Sequence, residues 1–333
     1  MSEPEIRDRL RNYTRESGVV VERTIETQSS LIAFGMQNCI ALDTRNSEPR
    51  PVVLKIIKRP GDEWWAGEVL HAFDGRGVVR VYERTPGAVL MERLRPGTPL
   101  VDLVLNGKDE EATDILADVI QRMCQLPGVG YRVPGVRCQT PLKDSSETQY
   151  SSNDVQHSLA DARHPAPDTR YPTPPFPTVH DWVRGFDRYI ASGDKQIPRD
   201  LVESAQQTYL KLAKTQRNTR LLHGDLQHYN ILFDSDRGWV AIDPKGVAGE
   251  VEYEIGAAIR NPVECPHVFL SRTTIERRLR QFTGRLNLDY DRAIRWTFAQ
   301  AVLSAIWNVE DDDRLYPGSS SLLLAHAIQP LID

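Results

Sequence analysis

Asp225 and Asn230 lie five positions apart in His223-Gly224-Asp225-Leu226-Gln227-His228-Tyr229-Asn230, and Asp243 follows Asp225 by eighteen in Ile242-Asp243-Pro244-Lys245-Gly246. A carboxylate able to take a hydroxyl proton, followed by two hard oxygen donors, is a set suited to phosphoryl transfer. That reaction asks little covalent help of a protein. It needs an acceptor hydroxyl held in line and phosphate charge neutralised by Mg²⁺. In this reading Asp225 accepts the hydroxyl proton, and Asn230 and Asp243 are the metal ligands. Any one of the three could equally cap a turn. All three in one register, with a lysine-bearing strand upstream, point to chemistry.

Several elements must position these residues. The stretches 219–222, 231–234 and 239–242 are short and apolar, and the last two suit a hairpin that presents both loops on one side. Upstream, Pro51-Val52-Val53-Leu54-Lys55-Ile56-Ile57-Lys58 is a β-branched run with a charge in its middle. On a strand buried by its neighbours Lys55 needs a partner, whereas Lys58 reads as a solvated strand end. Residues 62–73 read as one helix whose apolar face (Trp65, Val69, Ala72, Phe73) leaves either Glu63 or Glu68 able to meet Lys55. Between strands at 18–24 and 31–34, Glu26-Thr27-Gln28-Ser29-Ser30 contains no glycine, but Ser29 and Ser30 offer hydroxyls and amides to phosphate oxygens. A further apolar strand at 87–94 ends in charges and is stopped by Pro96-Gly97.

Leu221-Leu222-His223-Gly224-Asp225, Ala241-Ile242-Asp243-Pro244-Lys245-Gly246, Glu254-Ile255-Gly256-Ala257-Ala258-Ile259-Arg260-Asn261-Pro262 and the run 296–307 resemble the aminoglycoside phosphotransferase family. Within it the chain is most similar to the streptomycin 6-kinase and hydroxyurea phosphotransferase branch. The H-G-D-x-x-x-x-N core is specific to kinase-like folds, and D-P-K-G with R-N-P points to this branch. The likeness covers most of the chain and fails across about 137–177; Gln227 also departs, standing where the branch leads one to expect histidine.

The resemblance implies an α+β, protein-kinase-like two-lobe fold that uses ATP and Mg²⁺. It makes Lys55 the contact to the α and β phosphates, held by Glu68, which matches the E-x-L pattern of the branch. It sets adenine against Met91, bonded by backbone groups near Glu92 and Leu94, and makes His223 a structural residue that bonds main chain. The implied activity is phosphorylation of a small-molecule hydroxyl, foremost the 6-hydroxyl of the streptidine ring of streptomycin. The alternatives are a kinase of another small hydroxyl-bearing metabolite and a catalytically silent nucleotide-binding module. Intact Lys55, Asp225, Asn230 and Asp243 argue against the last.

At 333 residues the chain exceeds the usual single-core limit of about 250 to 300. Strands come first and helical periodicity after, at 99–105, 111–126, 178–190, 201–212, 274–282 and 292–308. The division expected is an N-lobe at 1–95 and a C-lobe at 96–333, with the polar stretch 139–177 a disordered insertion. A net charge of −5 and a pI near 6.0 argue against a nucleic-acid partner. The longest apolar stretch falls short of the roughly 20 residues of a membrane span, and residues 1–5 lack the features of a secretory signal. A cytoplasmic protein, a monomer or weak dimer, is expected, with free thiols at Cys39, Cys124, Cys138 and Cys265. Glu310-Asp311-Asp312-Asp313 follow the last of those helical runs, where acids oppose the helix dipole. They form either a solvated loop or the seat of a cationic acceptor, which makes Glu310, Asp311 and Asp312 candidate substrate-binding residues.

Overall fold

The computed structural model describes residues 3–38, 48–124, 176–312, 314–316 and 318–332. Helix α1 (Glu3–Glu16) leads into β1 (Val19–Glu26), β2 (Ser30–Gln37) and β3 (Arg50–Ile57). After a 3-10 turn at Asp62–Trp65 come α2 (Ala66–Phe73), β4 (Val81–Thr85) and β5 (Ala88–Glu92). The five strands form an antiparallel sheet in the order β1-β2-β3-β5-β4.

Period-two alternation assigns the two faces of this sheet. Val52, Leu54 and Ile56 pack with Leu31, Ala33 and Leu90 beneath Ile6 of α1. Val53, Val89 and Met91 belong instead with Val69, Leu70 and Phe73 of α2, in a core that continues into the helical lobe. Lys55, in phase with Val53, therefore faces the other lobe. Helix α1 is an element the sequence analysis did not anticipate. Its apolar stripe, Ile6, Leu10 and Tyr13, is narrow but has helical spacing and covers the outer face of the sheet. The single helix expected at 62–73 is corrected to a 3-10 turn followed by α2.

The chain leaves the sheet after Glu92, and β6 (Pro96–Pro99) pairs with the far lobe. There α3 (Val101–Leu105), α4 (Asp109–Cys124), α5 (Val179–Trp182), α6 (Arg184–Ser192), α7 (Arg199–Lys214), β7 (Arg220–Leu222), β8 (Ile231–Asp234), β9 (Gly238–Ala241), β10 (Val247–Gly249) and α8 (Val251–Ile259) are followed by α9 (Pro266–Phe269), α10 (Arg272–Leu286), α11 (Tyr290–Asp312) and α12 (Ser320–Ile332). Helix α11 is the axis, buried from Ala293 to Ile306 except at Arg295 and Ser304 and packed by α6, α7, α8, α10 and α12. It extends to Asp312, so Glu310, Asp311 and Asp312 form its last turn rather than a following loop.

The insertion expected at 139–177 lies outside the described residues as far as 175, as do Cys39 and Cys138. Its last two positions are corrected. Phe176 is buried in the core, and the Pro177 carbonyl accepts from Ala248 N–H at 2.8 Å. Among the described residues no helix is long and apolar enough to cross a membrane.

Candidate active site

Two strand pairings bring the chemical loops together. β7 and β10 run antiparallel with Leu222 opposite Val247, so the loops 223–230 and 242–246 leave and enter at the same end. The β8–β9 hairpin pairs Ile231 with Ala241, and Ile242 N–H donates to Asn230 O at 2.8 Å just beyond it.

His223 staples the loops to each other. Its wholly buried ring donates from Nε2 to Ile242 O at 2.8 Å and accepts Asp225 N–H on Nδ1 at 3.3 Å. That pairing requires the neutral Nε2–H form, and burial lowers its pKa in the same sense. Its carbonyl accepts both Lys245 N–H and Gly246 N–H, at 3.0 and 2.9 Å. Gly246 is at φ +79, and a Cβ there would lie 2.4 Å from Val69 Cγ2, so only glycine lets α2 rest on this loop.

Glu254 holds the start of the loop 223–230. From α8 its carboxylate accepts His223 N–H at 2.7 Å and Gly224 N–H at 3.1 Å, and burial pushes its pKa up to about 7. Its role was not expected from the sequence. The available signal was an acid inside an apolar helix, which must find partners when buried.

Asn230 donates from Nδ2 to Asp225 O at 2.8 Å, which leaves its Oδ1 as an acceptor. Asp243, at the left-handed φ of +56, places Oδ1 3.0 Å from Lys55 Nζ. Glu63 lies on the other side of that ammonium at 2.9 Å. Burial would lower the Lys55 pKa, but Asp243 and Glu63 outweigh it and the net shift is upward. The expectation for Glu68 is corrected: its carboxylate binds Arg84 at 2.9 Å, and the change from 3-10 to α pitch between the two acids directs them apart.

Asp225 Oδ1 faces Arg260 of the R-N-P segment at 3.4 Å. Asn261 Nδ2 bonds Ala257 O, and buried Arg278, itself paired with Asp109, donates to Asn261 O at 2.8 Å, so this segment is fixed in place. Beside Asp225 opens a cavity of about 410 Å³ whose walls include Gln227, Arg260, Ser304, Asn308, Tyr316 and Ser319. Ser319 Oγ is buried without a hydrogen-bond partner among the described residues. A larger cleft of about 910 Å³ meets this cavity at Asn308 and runs between the β1–β2 turn and Asp311 with Asp312.

The remaining expected residues divide. Ser29 lines the larger cleft, but Ser30 is buried, and its hydroxyl and amide are spent on Thr27 within the turn. Lys58 is not a solvated strand end, since its ammonium meets Glu26 at 2.8 Å and the Thr27 carbonyl. Met91 is buried in the core between the lobes. Glu92 is committed: its N–H donates to Arg80 O at 3.0 Å, and its carboxylate accepts Arg80 N–H and meets Arg237. Leu94 lies outside both ladders, between β5 and β6. Glu310 is also corrected, because it makes a two-pronged pair with Arg188, at 2.9 Å on each arm. Asp311 and Asp312 are left facing the cleft.

The frame is shared with known proteins. The sequence profile of the aminoglycoside/hydroxyurea antibiotic resistance kinases matches residues 24–166 and 163–312. Streptomycin 3''-kinase of Klebsiella pneumoniae is 28% identical over 268 residues, covering 78% of this chain and 81% of that protein. Streptomycin 6-kinase of Streptomyces griseus is 32% identical over 93 residues, 28% of this chain and 30% of that one. A crystal structure of a thermostable aminoglycoside phosphotransferase APH(4)-Ia in complex with ADP and hygromycin B superposes with a TM-score of 0.53 at 14% identity, covering 96% of this chain and 97% of that one, which speaks to fold. The chain belongs to the aminoglycoside/hydroxyurea antibiotic resistance kinase family and is a small-molecule kinase of α+β, protein-kinase-like fold.

Proposed function

We propose that the protein transfers the γ-phosphoryl group of ATP to a hydroxyl of an aminoglycoside, with streptomycin, at the 6-hydroxyl of its streptidine ring, as the leading acceptor. The observation that carries this reading is the position of Asp225, fixed by its neighbours at one wall of a cavity lined with hydroxyl and amide groups. The acceptor oxygen attacks the γ-phosphorus in line. The bond to the β,γ-bridging oxygen breaks, its electron pair stays on ADP, and the hydroxyl proton passes to Asp225.

Asn230 Oδ1 and the Asp243 carboxylate would hold Mg²⁺. Two hard protein oxygens fit an ion that takes the rest of its shell from phosphate and water. When bound, Mg²⁺ supplies charge neutralisation along the phosphates. Lys55 would contact the α and β phosphates, Ser29 would cover them, and adenine would lie against Met91 with main-chain bonds at Leu94. Asp311 and Asp312, which line the larger cleft, would receive guanidinium or amine groups of the acceptor. A cytoplasmic setting, where ATP is, accords with this reaction.

The long alignment with a streptomycin 3''-kinase favours one second reading, transfer to the 3'' position of the same molecule. Purified protein with Mg·ATP, tested against streptomycin, other aminoglycosides, hydroxyurea and small alcohols, decides the acceptor by the mass gained, and NMR of the product decides the hydroxyl. ATP binding with no transfer to any acceptor would support the silent nucleotide-binding module instead.

A further inference from the structure

The D-P-K-G motif contains a cation with no role so far. We infer that Lys245 is a second catalytic cation, whose ammonium leaves the ring of Trp307 to bind the γ-phosphoryl group during transfer. The inference rests on the phosphoryl-transfer reading and adds a residue to it.

The charges around the loops argue for this. Lys55 is shared by Glu63 and Asp243, and Arg260 faces Asp225. Lys245 lies two residues beyond Asp243, yet among the described residues no carboxylate pairs with it. Its ammonium sits over the Trp307 ring instead, 5.4 Å from the centroid. That side chain is half-buried, so part of its hydration is lost, and an aromatic face is a weaker replacement than an anion. A cation kept in this state has capacity left for a negative ligand.

Its position suits phosphate. The Lys245 main chain is fixed by its N–H bond to His223 O at 3.0 Å, within the staple that joins the two loops. Trp307 is braced edge-on by Trp182 at 5.5 Å, and the next residue, Asn308, lines both the acceptor cavity and the larger cleft. The ammonium is thus carried by the 242–246 loop onto a ring whose neighbour in sequence lines both cavities, on a flexible four-carbon stem that lets it move. In transfer, negative charge spreads over the three equatorial oxygens of the phosphoryl group as its bond to the ADP oxygen breaks and its bond to the acceptor oxygen forms. Lys55 is already shared by two carboxylates, so a further cation at the γ-phosphoryl group would add to what Lys55 and Mg²⁺ supply along the phosphates. Lys245 would donate hydrogen bonds to it without moving a proton, while the acceptor proton still goes to Asp225.

The test compares wild type with Lys245→Met and Lys245→Arg. Calorimetry with Mg²⁺ measures ADP against β,γ-imido-ATP, and turnover is measured with the acceptor found above. Lys245→Met should keep ADP affinity within about twofold, lose about tenfold for β,γ-imido-ATP, and lose about 10² to 10³ in kcat, the scale for removing one donor to a developing charge. Lys245→Arg should recover part of each. Tryptophan fluorescence of the wild type should respond to β,γ-imido-ATP but not to ADP, and that difference should vanish in Trp307→Phe.

A Lys245→Met protein with wild-type preference for the imido analogue and near-full kcat would overturn the inference. So would equal losses for both nucleotides with a lowered melting temperature, which would mark a packing role. If the wild type itself bound neither nucleotide, the transfer reading would fall and this inference with it.

Discussion

Around the loops 223–230 and 242–246, three polar side chains are bonded to main chain: His223 to Ile242 O and Asp225 N–H, Asn230 to Asp225 O, and Glu254 of α8 to the amides of His223 and Gly224. Across the cavity, between α11 and α12, the polar groups are less committed. Ser321 shares a 3.2 Å hydroxyl bond with Ser304, and Ser319 Oγ has no partner among the described residues. The contrast separates two tasks. Charge development needs groups whose geometry exists before the substrate arrives, while recognition needs donors and acceptors still available to a ligand. In the proposed reaction the first task would fall to short loops locked by long-range bonds, and the second to side chains of α11 and of the turn into α12.

The largest effect should come from breaking the locked side at its reacting group. Asp225→Asn should lower turnover by about 10² to 10⁴ while Mg·ATP affinity stays within about twofold. Steady-state kinetics with calorimetry reads both, and near-full turnover would remove Asp225 from its role.

Glu254 tests the lock itself through pH. Its pKa is raised from the ordinary glutamate value to about 7. Between about 4.5 and 7 the folded protein therefore keeps a proton that the unfolded chain has released. Stability should fall as pH rises through that window, by at most about 1.4 kcal/mol per pH unit from this group. Urea unfolding across pH should show that slope flattened in Glu254→Gln; an unchanged profile would show that another group carries it.

A smaller effect separates the two glutamates beside Lys55. Glu63→Gln should weaken Mg·ATP by about 10- to 100-fold, since a charge-assisted bond contributes about 1.5 to 3 kcal/mol. Glu68→Gln should change it less than about threefold, because its partner is Arg84. The reverse order in calorimetry would restore Glu68 as the partner of Lys55.

The open side should give the smallest response. Replacing Asp311 and Asp312 by Asn should raise KM for a cationic acceptor about tenfold and leave KM for ATP alone. A kinetically silent double variant, slightly more stable for relief of the helix dipole, would mark a solvated helix end and shift recognition to Ser304, Asn308 and Ser319.

The parts of the site legible in the chain are those whose geometry is set within a few residues. The spacing of Asp225 and Asn230 suits one loop, the apolar runs at 231–234 and 239–242 announced the β8–β9 hairpin, and a charge in the middle of the run 51–58 marked Lys55 as needing a partner. Elements such as α1 and α8 were missed for local reasons as well. α1 has a thin apolar stripe in a polar sequence, and α8 carries Glu252, Glu254 and Gly256 in a segment buried on nearly all sides.

Partner choice at longer range was another matter. Glu254 reaches an amide 31 residues away, and Arg188 takes Glu310 across 122. Asp311 and Asp312 carry the same carboxylate as Glu310, but the last turn of α11 turns them toward the cleft and not toward Arg188. Residue type and spacing by themselves determined the chemistry this chain carries, because a hydroxyl proton, a metal and a phosphate each demand particular atoms in a particular order. Which acid holds Lys55, which acids line the larger cleft and what Lys245 rests on were decided only in the tertiary structure, because a charged side chain settles on the partner that packing brings within about 4 Å, and sequence distance does not measure that.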